Sequence, residues 1–208
     1  MGVTSKIRKI QRQCLDWMVG GFPRINLERR AEELVSLFGS SIPQHSKVLD
    51  IGGGWGFYVD PLTRLRDCRV TVLDVAKPGF SKASVVTYSG QKMPFPDKSF
   101  DVSLLITVLH HVKSPEEVLA EARRVTQRMV IVVEDLYQHW AGRMWTILRD
   151  SLFNFEFIGH PCQFRKKREW FECFQKLGFK LESEQEIYTF LLGLRILNGI
   201  FVLNCANE

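Results

Sequence analysis

Apolar runs alternate with amphipathic segments along the middle of the chain, from residue 47 to residue 134. Five runs of strand length predict β-strands, at residues 47–51, 69–75, 85–88, 101–107 and 129–134. Apolar spacings of three and four predict two intervening helices, at residues 57–66 and 114–126. Residues 75–83 contain Pro78 and Gly79 and are too short for a full crossover helix. Such alternation favours an open, doubly wound α/β sheet of mostly parallel strands with both faces covered.

Amphipathic segments also flank this alternating region. On the N-terminal side they predict helices at residues 6–19 and 26–38, the second capped by Asn26. Residues 136–157 form an aromatic amphipathic stretch, and residues 188–198 fit no element. The C-terminal part is predicted to hold a helix and two strands, at residues 165–177, 179–187 and 199–205.

A chain of 208 residues is long enough for one domain with a full core and short for two. We expect one domain with four parts: an N-terminal helical cap (1–43), a ligand-binding core (44–135), a helical insertion (136–165) and a C-terminal helix with two strands (166–208).

The five cysteines are scattered and form no C-x-x-C pair, which argues against a disulfide framework or a thiolate metal site. We therefore expect no bound metal and a reducing, cytoplasmic compartment. The basic start is followed by no apolar signal-peptide region, and the longest apolar tract is interrupted by Arg195 and Asn198.

Residues 1–30 carry seven basic and two acidic side chains, which accounts for the whole formal net charge of +5. Such a segment suits contact with RNA, an anionic membrane surface or an acidic substrate. A solvated helix face would show the same pattern.

Four glycines lie within residues 52–56, directly after the apolar run that ends at Ile51. Glycine adopts backbone angles closed to other residues and lets a ligand approach the main chain. In an open parallel sheet this turn lies at the ligand-binding edge, and the helix that follows offers free N–H groups. The dinucleotide pattern needs a third glycine where Phe57 stands, and the P-loop pattern with its lysine is absent. Because 208 residues leave no room for a second binding half and a substrate domain, hydride chemistry is disfavoured.

Asp74 ends the second predicted strand, 22 residues after Gly52. A carboxylate at this position can accept hydrogen bonds from both ribose hydroxyls of a nucleoside. The glycine turn and Asp74 together predict a site for a nucleoside-bearing cofactor.

Three blocks in this order carry a family resemblance: residues 48–56, residues 72–74, and residues 93–101 running on to the His110-His111 pair. Together they resemble class I S-adenosylmethionine-dependent methyltransferases, in the branch that includes the ubiquinone and menaquinone biosynthesis enzymes. The resemblance implies a Rossmann-like, seven-stranded, mostly parallel sheet with an antiparallel C-terminal strand. It also implies S-adenosylmethionine as cofactor and S-adenosylhomocysteine as product.

Matching the motifs position by position implies a set of cofactor-binding residues. They are Asp50, Gly52, Gly53, Gly54, Gly56, Asp74, Val75, Ser89, Gly90, Gln91, Ile106 and Thr107. Ser89 stands where the family usually has an aspartate near the adenine amino group, and a neutral hydroxyl makes a weaker contact there.

Methyl transfer depends mainly on alignment of the reactants, and one base helps if the acceptor is a hydroxyl or an acidic carbon. The candidate catalytic residues are His110 and His111, with Glu134 as a third choice, and either histidine would equally suit a structural role. Because the two histidines are adjacent, their side chains are expected to point in different directions.

A small, apolar or aromatic acceptor is expected between residues 1–43 and 136–165, with peripheral membrane contact through the basic N-terminus. The aromatic residues of these regions are Trp17, Phe22, Trp140, Trp145, Phe153, Phe155 and Phe157. One rival is an RNA or protein methyltransferase that uses the basic residues 6–30 and 165–168, although no base-methylation motif supports nucleic acid as partner. The other is a cofactor-binding regulator without catalysis. The oligomeric state cannot be derived from the sequence.

Overall fold

The computed structural model describes residues 22–154 and 161–205. Its strands are β1 (Lys47–Ile51), β2 (Arg69–Asp74), β3 (Val85–Thr87), β4 (Phe100–Ile106), β5 (Thr126–Asp135), β6 (Lys180–Leu191) and β7 (Leu194–Asn204). Its helices are α1 (Phe22–Phe38), α2 (Val59–Arg66), α3 (Pro115–Val125), α4 (Trp140–Asn154) and α5 (Lys167–Lys176), with 3-10 turns at Gly39–Ser41 and Leu109–His111.

The seven strands form one sheet in the order β3-β2-β1-β4-β5-β7-β6. The five neighbouring strands β3, β2, β1, β4 and β5 are parallel, whereas β7 is antiparallel to both β5 and β6. This confirms the predicted doubly wound α/β sheet with an antiparallel C-terminal strand.

Two apolar layers cover the faces of the sheet. Helices α3 and α5 pack on one face, where Leu119 and Trp170 are fully buried. Helices α1 and α2 pack on the other, where Leu34 and Leu62 are fully buried. Parallel strands buried on both faces explain the continuous apolar runs of the sequence.

Several predicted boundaries differ from the structure. Helix α1 begins at Phe22, so the predicted cap residue Asn26 lies inside the helix. The unassigned residues 188–198 are the tip of a hairpin in which β6 and β7 pair as far as Leu191 and Leu194. As expected, residues 75–84 contain no helix. The helix predicted at residues 6–19 lies outside the described residues.

No helix in the two described ranges combines the length and the apolar character needed to cross a lipid bilayer.

Candidate functional site

The glycine turn follows β1 at the carboxyl edge of the sheet. The φ angles are +72° at Gly52, +46° at Gly54 and +72° at Gly56, a region that side chains disfavour. The amide of Gly52 donates a 2.7 Å hydrogen bond to Leu73 O, which ties the turn to β2. A Cβ on Gly52 would lie 2.6 Å from Val108 Cγ2, so this residue admits no side chain.

Asp74 joins the glycine turn to the loop that follows β2. Its Oδ2 accepts a 3.1 Å hydrogen bond from Gly54 N, and its Oδ1 accepts one of 3.0 Å from Ala76 N. The side chain is mostly buried. These contacts fix the carboxylate beside the turn, where it can accept further hydrogen bonds from a ribose.

Asp50 lies under the turn, fully buried. A Cβ on Gly53 would lie 2.1 Å from Asp50 Oδ2, so Gly53 is needed to cover this carboxyl group. Among the described residues Oδ2 has no hydrogen-bond partner. Burial, and then the nearby charge of Asp74, raises the pKa of Asp50 to about 7.

Asp50 therefore gives the stability of the protein a pH dependence. In the folded state Asp50 has a pKa of about 7 and keeps its proton up to about that pH, whereas the ordinary carboxyl pKa is 3.8. This contribution to stability is complete at low pH and is lost as the pH rises through about 7. We expect Asp50→Asn, which mimics the neutral form, to gain unfolding free energy relative to wild type between about pH 5 and pH 8, measured by urea denaturation. Asp60→Asn, at an exposed site on α2, should show no such gain, and equal profiles for both variants would contradict the assignment.

Four further predicted cofactor residues line the exits of β2 and β3. Val75 is exposed, and a Cβ on Gly90 would lie 3.3 Å from Val75 Cγ1, so the two loops meet. Ser89 and Gln91 are exposed next to Gly90. These residues follow β2 and β3 at the carboxyl edge of the sheet, and their contact with a cofactor stays a prediction.

Ile106 and Thr107 end β4 at the same edge. Ile106 is buried, and Thr107 has φ +53°, a strained angle for a β-branched residue. Thr107 N donates a 2.7 Å hydrogen bond to Val133 O. The chain turns sharply here and brings Val108 against Gly52.

The irregular segment between β2 and β3 packs over the glycine turn. Phe80 stacks on Trp55 with ring centroids 6.3 Å apart, and Lys82 N donates a 3.0 Å hydrogen bond to Trp55 O. Ser81 Oγ donates to Gly54 O at 3.4 Å. The packing of this segment on the glycine turn was not predicted from the sequence. The only local signal for it was Trp55, the aromatic residue within the glycine cluster.

Glu134 organises the 3-10 turn that carries the histidines. It is fully buried, and its Oε1 accepts hydrogen bonds from Val108 N at 2.9 Å and Leu109 N at 2.7 Å. Its Oε2 lies 2.6 Å from His110 Nδ1. Because both oxygens are engaged, Glu134 positions the turn and is a poor candidate for a general base.

Both histidine rings turn toward Asp150 on α4. The Oδ1 atom of Asp150 lies 3.5 Å from His110 Nε2 and 3.9 Å from His111 Nε2, and the ring centroids are 4.2 Å apart. The expectation of divergent side chains was therefore wrong, because the 3-10 turn gathers neighbouring side chains. Sequence reasoning also missed Asp150, which is distant in the chain.

The two histidines differ in exposure. His110 is 1% exposed and stacks on Phe164, whereas the side chain of His111 is 27% exposed. Burial alone would lower the pKa of His110, but Glu134 and Asp150 outweigh it and raise the pKa well above 6.5. His111 is thus the more accessible of the two histidines.

A network of buried polar side chains connects β5 and α4, next to Glu134 and Asp150, with the C-terminal hairpin. Asn198 donates a 2.6 Å hydrogen bond to Asp135 and accepts one of 2.6 Å from Thr189. Arg149 pairs with Asp135, and Arg30 donates to Thr189 and Asn198. The sequence gave no signal for this network, since its members come from five elements.

Helix α4 turns its polar side inward and much of its apolar side outward. Thr146, Arg149 and Asp150 are buried. The exposed residues form an apolar surface made of Trp140, Met144, Trp145, Leu148 and Leu152. Trp140 and Trp145 therefore do not line an enclosed pocket, while Phe153 is half-buried. Trp17, Phe155 and Phe157 lie outside the described residues, and nothing is described of the Phe22 side chain.

The basic runs considered for nucleic-acid binding are largely paired where they are described. Arg165 lies 2.6 Å from Glu116, Lys167 lies 2.8 Å from Glu186, and Arg168 pairs with Glu172. Near the N-terminus, Arg24 and Arg29 pair with glutamates of α1.

The sequence of this chain is similar to methyltransferase sequences over the region that contains the glycine turn and Asp74. The methyltransferase domain family matches residues 49–133, which run from β1 into β5. An uncharacterised protein of Methanocaldococcus jannaschii is 27% identical over 149 residues, which are 67% of this chain and 68% of the relative. An uncharacterised methyltransferase of Mycobacterium tuberculosis is 32% identical over 114 residues, 50% of this chain and 43% of the relative. The match thus spans less than half of the mycobacterial protein.

Solved structures share the fold. A SAM-dependent methyltransferase of Thermotoga maritima aligns with a TM-score of 0.65 and 18% identity, over 92% of this chain and 98% of that protein.

Proposed function

We propose that this chain is an S-adenosylmethionine-dependent methyltransferase with the class I fold and that it methylates a small, apolar or aromatic acceptor. The observation that carries the proposal is the site at the carboxyl edge of β1 and β2. There a glycine-rich turn lies beside a carboxylate fixed by Gly54 N and Ala76 N.

The residues of this edge fit the cofactor. A Cβ at Gly52 or Gly53 would overlap Val108 or Asp50, so these glycines let the turn pack closely on the residues beneath it. Gly52, Gly54 and Gly56 would hold the methionine part, Asp74 the ribose, and Val75 with Ser89, Gly90 and Gln91 the adenine. The bound cofactor supplies an electrophilic methyl group, and the protein supplies alignment.

The acceptor would approach from α4. Its exposed apolar surface (Trp140, Met144, Trp145, Leu148 and Leu152) suits an apolar molecule, and the buried Asp150 lies behind it with His111. We assign His111 the role of receiving or relaying the proton of the acceptor, because it is the more exposed of the two histidines. His110, held by Glu134, would position His111.

The pairing of residues 165–168 with glutamates supports a small acceptor over RNA or protein. A basic track for nucleic acid needs unpaired cations along one face. Three of these four cations are engaged within the chain instead.

The cofactor site is tested by calorimetric titration of S-adenosylmethionine into wild type, Asp74→Asn and Asp97→Asn. We expect Asp74→Asn to weaken binding about tenfold or more, because a carboxylate forms stronger hydrogen bonds than an amide oxygen. Asp97 is exposed before β4, away from the glycine turn, and its variant should bind as wild type does. Binding of NAD in place of S-adenosylmethionine would refute the proposal.

The acceptor is tested with cofactor that carries a labelled methyl group. Label should enter phenols with apolar substituents, and not hydrophilic amines, transfer RNA or protein. Tight cofactor binding without methyl transfer to any of these would favour the non-catalytic regulator.

A further inference from the structure

We propose that His110, His111 and Asp150 bind a divalent transition-metal ion at the acceptor side of the methyl-transfer site. No metal was predicted from the sequence, because only a cysteine-based site was considered there. Binding of the ion is argued from side-chain geometry alone, whereas its role in the reaction rests on the proposed function.

The spacing of the donor atoms is the first argument. One potential ligand atom from each of His110, His111 and Asp150 lies within 4.8 Å of the other two. The distances from Asp150 Oδ1 to the Nε2 atoms of the two histidines, 3.5 and 3.9 Å, exceed those of ordinary hydrogen bonds. Ligands of a tetrahedral zinc ion, bound at about 2.0–2.2 Å, lie about 3.3 Å apart. Closing the set around an ion would shorten the two carboxylate–imidazole distances by about 0.2 and 0.6 Å.

The second argument is the orientation of His110. Its Nδ1 lies 2.6 Å from Glu134 Oε2, and Glu134 is itself held by two backbone amides. This contact orients the imidazole with its Nε2 atom toward Asp150, where that nitrogen can coordinate an ion once it is deprotonated. A carboxylate behind a ligating histidine is the usual outer partner in metal sites.

The donor set defines the class of ion. Two imidazoles with one carboxylate suit zinc, iron(II), cobalt or manganese, whereas calcium and magnesium prefer oxygen ligands. Three protein ligands leave an open position, as in catalytic zinc sites. His111 is the most exposed of the three, so the open position faces the acceptor side.

The site lies next to the cofactor turn. Val108, whose side chain closes against Gly52, precedes His110 by two residues. An acceptor hydroxyl bound at the open position would have a lowered pKa and would release its proton to solvent. With the ion bound, His111 is a ligand, and the ion replaces the base role that His111 has in the metal-free site. The resulting oxygen anion would form the O–C bond to the methyl group while the C–S bond breaks and its electron pair stays on sulfur. The products are the methyl ether and S-adenosylhomocysteine, and the ion is unchanged.

Metal binding is tested on the full chain without cofactor. Protein stripped with a chelator is titrated with cobalt(II), whose visible absorption reports coordination by protein ligands, and zinc content is measured after dialysis. Wild type should bind about one ion per chain. His111→Ala and Asp150→Asn should each weaken binding about tenfold or more, while His139→Ala, which removes an exposed histidine before α4, should leave it unchanged.

The variants at His111 and Asp150 are chosen because loss of His110 would leave Glu134 unpaired in the core. Circular dichroism and calorimetry with S-adenosylmethionine verify that they fold and keep the cofactor site. Loss of metal with intact cofactor binding supports the proposal. Wild type that binds neither cobalt nor zinc, or variants that bind both as wild type does, would show that the cluster is only an ion pair. Failure of cofactor binding with metal binding intact would instead refute the proposed function.

Discussion

Replacing Glu134 by alanine is expected to lower the free energy of unfolding by about 3–5 kcal/mol. The side chain is fully buried and accepts hydrogen bonds from Val108 N, Leu109 N and His110. Its removal leaves two buried amides without an acceptor and takes the nearest counter-charge from an imidazole whose pKa is raised.

Urea denaturation followed by circular dichroism measures this loss. Glu134→Gln keeps the size of the side chain and one carbonyl acceptor, so its loss should be smaller than that of the alanine variant. Glu33→Ala, which removes an exposed ion pair with Arg29 on α1, should change stability by about 0.5 kcal/mol or less. If Glu134→Ala were as stable as Glu33→Ala, the 3-10 turn would be held by other contacts.

Gly52→Ala is expected to lower the rate of methyl transfer about a hundredfold. The new Cβ would lie 2.6 Å from Val108 Cγ2, at a residue whose φ is +72°. Either the glycine turn or the end of β4 must move to relieve this overlap. Both border the proposed cofactor site, and a displacement of about 1 Å at a reacting centre is enough for such a loss.

Two further variants separate the steric effect from backbone strain. Gly193→Ala, at the hairpin tip, has a similar φ of +81° but no atom within 4 Å of its new Cβ, and should keep full activity. The double variant Gly52→Ala/Val108→Ala removes both overlapping methyl groups and should recover part of the activity. A double variant no better than Gly52→Ala would mean that the overlap with Val108 is not the cause.

The strands of the core could be predicted because each is a continuous apolar run between turn residues. Strand β1 coincides with its predicted bounds, and β2 and β4 differ by one residue at their ends. Burial on both faces explains this success, since it requires apolar residues at every position.

The hairpin of β6 and β7 could be predicted only in part. Most residues of β6 are exposed, so its sequence lacks both an apolar run and a clean alternation. It exists because β7 supplies eleven registered partners, from Lys180 with Asn204 to Leu191 with Leu194. Pairing with a distant strand overrides local preference there.

The candidate site could likewise be predicted only in part from the sequence. The glycine turn and Asp74 lie in short motifs whose residue types limit what can bind, so they were predictable. Asp150 and the structural role of Glu134 were not. The first is 39 residues from His111, and the second follows from three contacts that only the folded chain creates.

Helix α4 is anchored by its buried polar side chains, whereas its exposed side chains are mostly apolar. Its attachment depends on Arg149 with Asp135 and on Asp150 with the histidines, and not on Trp140, Met144 or Leu148. The outward residues are therefore free of the packing constraints that restrict change in a core. Substitutions on this outer surface could therefore change what the helix contacts without altering the fold beneath it.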